Sequence, residues 1–287
     1  MVVSRCACAP PSSCGRGDAM TTTVSFVAHP DDDLLFMNPD VLSDVQAGYD
    51  VWVVYLTAGD LLCGDGFPVC GMEYADMRIH GARAAYARAA HVANQWTFEA
   101  LQLGGHQVAT NTLDGTRVRL LFTFVHAAGG SDQTGDLARM VLDENFVAQP
   151  IDGRAPYTRA SFIGMLHDVL ATAQPDYVRT LSTVGHRETD RDHVDHVAGA
   201  ILASLADLDG DGRTWVRRDE YDGYVIRQRP ENWVGYWKDE KTAVWHAYRP
   251  HDPMVPPDAW DDVMGRQYRQ RVFEAGDPWT PPPDFTV

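Results

Sequence analysis

The segment Ala28-His29-Pro30-Asp31-Asp32-Asp33 puts one imidazole and three carboxylates where the apolar, β-branched run Thr23 to Ala28 stops. A buried strand end rarely collects four such groups unless a cation organises them, because each is costly to desolvate alone. A second cluster, Arg191-Asp192-His193-Val194-Asp195-His196-Val197, places two histidines three residues apart at the start of an apolar helix, where both can reach one point. Such pairs also occur on ordinary surface helices, but this one follows another strand-like run, Tyr177 to Leu181. Both clusters therefore fall at strand-to-helix junctions, on the side of an α/β sheet where ligands bind. Together they predict a metal site.

The elements that must carry these groups alternate. Val24 to Ala28 reads as a central strand, followed by a helix around Val41 to Ala47, a strand Val51 to Leu56, an Ala/Arg-rich helix Tyr74 to Ala93 and a strand Thr97 to Leu103. This βαβαβ order predicts an α/β, Rossmann-like fold: a mostly parallel sheet flanked by helices, with right-handed crossovers. Strand Val118 to Val125, a bend at Gly129-Gly130, helix Ser161 to Ala173, strand Tyr177 to Leu181 and helix His193 to Leu205 complete the core. The stretch from Gly104 to Pro156 is longer than a simple connection and reads as an excursion that shapes a substrate pocket or lid. His106 and His186 are candidates to line that pocket, although a solvated loop histidine is the plainer reading of each. His126, within an apolar run, reads as a core histidine with its nitrogens satisfied.

The two clusters resemble the signatures of the LmbE/PIG-L family of zinc-dependent N-acetylglucosaminyl deacetylases, an AHPDDE-type motif after the first strand and a later HPDH-type motif. This chain reads AHPDDD and HVDH, with Asp33 in place of Glu and Val194 in place of Pro, and neither departure touches a position expected to bind metal. The resemblance implies His29, Asp32 and His196 as ligands of one Zn2+ per chain, three donors with positions left open for water and substrate. It implies Asp31 as the general base and His193 as the group that stabilises the oxyanion, as imidazolium or neutral donor. Asp195 either orients His193 or is simply an acid favoured in a helix's first turn. Asp33 is expected behind the ligands or at the helix start rather than on the metal. The family's Arg-x-x-Glu pattern is broken, since Arg78 is followed by Gly81, so Arg78 is a substrate contact or an exposed helix arginine.

The implied activity is removal of acetyl from an N-acetylglucosaminyl glycoconjugate; within the family, deacetylases of acetylated glycopeptide antibiotics are the nearest specific resemblance. A small sugar-thiol metabolite is the alternative substrate, and a calcium-stabilised carbohydrate-binding module without turnover is the alternative of another class. The resemblance covers residues 20–208, the expected deacetylase core, and leaves 209–287 as a C-terminal elaboration packed on it within one domain. Where the core passes into that tail, Asp207, Asp209 and Asp211, with Gly210 and Gly212, match the front half of a calcium loop, yet the twelfth position is Arg218 rather than Glu. An acidic turn is the stronger reading. Six of the eight tryptophans also lie there, at 215, 233, 237, 245, 260 and 279; they could stack on sugars, but core packing is the first expectation.

The 287 residues are 45% hydrophobic, enough to bury a large core. A formal net charge of -16 offers no basic stripe for phosphates, which argues against nucleic acid. No apolar run approaches the ~20 residues that cross a bilayer, so the chain is not expected to span a membrane. Lysine occurs only at 238 and 241, a bias that suggests a GC-rich bacterial gene. Residues 1–19 contain Cys6, Cys8 and Cys14 but no apolar core of a secretory signal, and read as a disordered leader before Met20. A cytoplasmic location follows as the expectation. Cys63 and Cys70 bracket a turn-rich loop, and either close a small disulfide or remain free thiols.

Overall fold

The AHPDDD segment leaves strand β1 (Thr22–Val27) and enters a single π-helical turn over Asp33–Met37. There follow α1 (Asp40–Gln46), β2 (Asp50–Tyr55), α2 (Gly71–Ala89), β3 (Trp96–Leu103), β4 (His106–Leu113) and β5 (Val118–Phe122). Next come α3 (Gly135–Leu142), the short pair β6 (Val147–Ala148) and β7 (Tyr157–Thr158), α4 (Arg159–Ala173), β8 (Tyr177–Leu181) and α5 (Val194–Ala206). The chain continues through β9 (Arg217–Tyr221), α6 (Tyr236–Tyr248) and β10 (Arg269–Glu274). This computed structural model describes residues 20–185, 192–206, 217–274 and 277.

Eight strands form one sheet in the order β10-β9-β8-β1-β2-β5-β4-β3. The five from β9 to β5 are parallel, and an antiparallel partner closes each side: β10 on β9, and β4 with β3 on β5. The period-two alternation of β2 shows why the centre is apolar throughout. Val51, Val53 and Tyr55 face one core with α1, α2 and α6, whereas Trp52, Val54 and Leu56 face another with α3, α4 and α5. Helices cover both faces, so neither set can be polar. Leu202 of α5 is fully buried in the second core. Its replacement by Ala is expected to lower unfolding stability by about 2–5 kcal/mol, read from urea denaturation.

The sheet departs from the sequence reading at one edge. Thr97 to Leu103 is a strand, but α2 delivers it to the far edge, where it runs antiparallel to its neighbour. The supposed excursion after it begins with β4, joined to β3 by the hairpin turn Gly104-Gly105. Both glycines have positive φ (54° and 81°), the pattern of a two-residue turn that matches strand twist, and a Cβ on Gly104 would lie 2.6 Å from the Met165 backbone. The rest of the stretch holds β5, α3 and β6, and between β5 and α3 it contributes Ala127 and Ala128 to the cavity described below. The C-terminal elaboration likewise extends the sheet itself through β9 and β10. No helix among the described residues is long and apolar enough to cross a membrane.

Candidate active site

Parallel strands β1, β2 and β8 end on the same side, and the loops leaving them bring the two sequence clusters together. His29, Asp31, Asp32 and His193 line one cavity with Asp60, Arg78, Tyr224 and Trp260. His196, one turn after His193 on α5, lies just behind it: its Nε2 is 3.0 Å from Asp32 Oδ1, while His29 Nδ1 is 3.3 Å from Asp32 Oδ2. Two imidazoles thus converge on one carboxylate.

The opposite nitrogen of each ring is held by a second carboxylate. His196 Nδ1 lies 2.8 Å from Asp192 Oδ1, and His29 Nε2 lies 3.2 Å from Asp195 Oδ2. Asp195 Oδ2 also accepts the Ala128 backbone N–H at 2.7 Å. Imidazoles clamped this way by acidic partners have a fixed tautomer and point one nitrogen at a common centre, as metal-ligating histidines do. Buried His196 Nε2 makes no hydrogen bond among the described residues despite its proximity to Asp32. Donors bound at about 2.0–2.1 Å around a tetrahedral ion stand about 3.3 Å apart, close to the separations here. The residues therefore fit a small cation.

Electrostatics agree. Burial alone would lower His29, but Asp32 and Asp195 outweigh it and raise it to about 9. His196 rises well above its ordinary value in spite of burial, through Asp32 and Asp192. Burial would push Asp32 up, yet His196 and His29 hold it well below the usual carboxylate range. Donor atoms of His29, His193 and His196 also lie within 4.8 Å of one another, so His193 is near enough to be a third imidazole ligand. Its hydrogen bonding points elsewhere: Nδ1 accepts the backbone N–H of Asp195 at 3.2 Å, which leaves the proton on Nε2. Burial, and then the neighbouring His29, lower it to about 3, so His193 is neutral.

Asp195 sits in the first turn of α5 and meets His193 through its backbone. Its carboxylate is 3.8 Å from His193 Nδ1 and bonds to His29 and Ala128; only its amide touches His193. Arg78 is no surface residue: it is 8% exposed and its Nη2 donates to Asp31 Oδ1 at 2.6 Å. Its Nη1 donates to the Gly59 carbonyl at 3.0 Å, and its Nε to the Tyr248 hydroxyl at 2.9 Å. The approach needs glycine, since a Cβ on Gly59 (φ 61°) would lie 2.5 Å from Arg78 Nη1. Asp252 backs the arrangement, accepting from Tyr74 at 2.8 Å and Tyr248 at 3.0 Å. Burial raises the Asp31 pKa against the pull of Arg78.

Asp33 points away into the core, accepting from the Tyr55 hydroxyl at 3.3 Å and from Tyr86, and burial raises it to about 7. His126 bridges Asp60 (2.7 Å) and Asp132 (3.5 Å), a core histidine with acidic partners on both sides. His106 is not among the residues lining the cavity; it starts β4 and stacks on Tyr157 with ring centroids 4.2 Å apart. His186, Asp207, Asp209 and Asp211 lie outside the described residues, as do the leader cysteines. Cys63 and Cys70 are joined as a disulfide in the loop between β2 and α2. Sequence reading missed Asp60, Tyr224, Tyr248 and Asp252, and named Trp260 only among the tail tryptophans that could stack on sugars or pack in the core. For Asp192 the signal was present, because i and i+4 on a helix turn set it beside His196.

The family profile described as "PIG-L: GlcNAc-PI de-N-acetylase" matches residues 24–206. Among curated proteins, none matches the sequence. Solved structures that resemble the chain include N,N'-diacetylchitobiose deacetylase from Pyrococcus horikoshii (16% identity, 84% of this chain and 73% of that one, TM-score 0.48). They include the zinc-inhibited form of teicoplanin deacetylase Orf2 (14% identity, 85% and 89%, TM-score 0.47). The 4-carboxy-2-hydroxymuconate hydratase GalB from Pseudomonas putida is similar to the same degree (15% identity, 85% and 83%, TM-score 0.47). The family description supports N-deacetylation, and with it an amide-hydrolysing enzyme. Since the matched stretch runs from β1 through α5, spans more than half of the chain and contains both clusters, the chain belongs to the PIG-L family.

Proposed function

We propose that this protein is a zinc-dependent deacetylase that hydrolyses the acetamide of an N-acetylglucosaminyl unit carried on a secondary-metabolite glycoconjugate, such as a glycopeptide antibiotic precursor. The observation that carries the reading is the convergence of His29 and His196 on Asp32, each ring held from behind by a carboxylate, beside the buried Asp31–Arg78 pair. His29, Asp32 and His196 would hold one zinc per chain. Bound there, the ion supplies a Lewis acid and lowers the pKa of water towards about 7.

The chain's own groups do the rest. Asp31 takes the proton of the attacking water as oxygen bonds to the acetyl carbon; its raised pKa, set by burial, makes it a better proton acceptor than an exposed carboxylate. Arg78 fixes Asp31 through Oδ1. His193, neutral with its proton on Nε2, donates to the carbonyl oxygen as negative charge develops, with its ring set by the Asp195 amide. Asp31 then returns the proton to nitrogen as the C–N bond breaks, giving acetate and a free amine.

His193→Ala tests the division between ligand and donor. It is expected to retain zinc and fold while slowing acetate release by roughly 10²-fold or more, the scale of losing one oxyanion donor. Loss of zinc in the folded variant, measured by elemental analysis, would make His193 a ligand instead.

A further inference from the structure

The tail's tryptophans were expected in the core, and Trp245 is there, fully buried against Tyr248. Trp260 is different. It is half-buried and lines the catalytic cavity, although it lies beyond residues 24–206, which match the family profile. The ring is held in place from several directions. Arg227 lies over one face at 3.8 Å, Phe36 meets it edge-on at 5.9 Å, and Tyr224 packs beside it at 5.4 Å. Tyr224 in turn contacts the rings of His196 (5.2 Å) and His193 (6.4 Å), which ties this aromatic pair to the reacting centre. Trp260 also has φ 70°, a left-handed conformation that a bulky side chain rarely adopts. Strained backbone of this kind persists where surrounding structure enforces it, commonly at ligand sites.

The wall is amphipathic in company. Beside Trp260 and Tyr224 the cavity presents Asp60, Asp31 and Arg78, groups that accept and donate hydrogen bonds. An acyl chain would bring no hydrogen-bonding group to this polar wall, whereas a pyranose offers an apolar C–H face for the ring and hydroxyls for the remaining lone pairs of the carboxylates. We infer that Trp260, braced by Tyr224 and Arg227, is the platform on which the pyranose ring of the substrate stacks, so that the C-terminal segment selects the sugar. This rests on the deacetylase reading above.

The test uses the zinc-loaded full chain and methyl N-acetyl-β-D-glucosaminide, following acetate release. Trp260→Leu, which keeps apolar volume but removes the π-face, is expected to raise KM roughly tenfold with the loss in KM rather than kcat and with zinc content retained. Trp260→Phe is expected to recover most of that loss. Where Leu is not tolerated, Trp260→Met provides the same comparison. Turnover by the wild type with KM unchanged in Leu or Met, or equally raised in Phe, would overturn the stacking alone. No acetate from any N-acetylglucosaminide with the wild-type enzyme would overturn the reading it rests on and the stacking with it.

Discussion

Replacing His196 by Ala is expected to remove most of the bound metal and turnover together. Its Nε2 is buried, 3.0 Å from Asp32, and makes no hydrogen bond among the described residues. Three protein donors leave no redundancy, so losing one should empty the site and not merely weaken it. The residue also carries a hydrogen bond to Asp192, whose buried carboxylate would then keep only the backbone N–H groups of His193 and Tyr224. Elemental analysis of the folded variant beside acetate release checks both halves. Full occupancy with His196 gone would remove it from the ligand set.

Asp31→Asn should give the opposite pattern, with metal retained and chemistry lost. The amide preserves size and can still meet Arg78 Nη2 through its oxygen, but it cannot take a proton from water. Turnover is expected to fall by roughly 10²–10⁴-fold, the usual scale of general acid–base help. Removing the negative charge also unpairs Arg78, though Asp252 at 3.2 Å and the Gly59 carbonyl at 3.0 Å still hold the guanidinium. Wild-type turnover in this variant would leave a metal site but exclude Asp31 as the base.

The chemistry-bearing centre was legible because it is local. His29 to Asp33 and Asp192 to His196 each carry their groups within one turn of chain, and strand-to-helix patterning places both at the same end of the sheet. What surrounds them was not legible, because it depends on contacts between residues far apart in sequence. Arg78 reaches Tyr248 170 residues away, and Tyr224 and Trp260 reach the cavity only because β9 extends the sheet beside β8. No spacing encodes such meetings. The β3–β4 hairpin is a different case: Gly104-Gly105 between two alternating runs is a turn signal, and it was passed over in favour of one long excursion. Of the two readings open for Asp195, it does sit in the helix's first turn, but that its carboxylate would meet His29 was not legible, since helical spacing does not say which of two nearby rings a carboxylate will meet.

The central claim is metal-dependent amide hydrolysis at this site, and one measurement addresses it directly. The purified chain is stripped with a chelator, titrated with zinc, and assayed on an N-acetylglucosaminyl glycoside for acetate and free amine together. The account predicts no turnover without metal, recovery complete at one zinc per chain, and acetate and amine released one to one. Turnover that survives complete removal of the metal, or a zinc-loaded, folded protein that releases neither product, would contradict it.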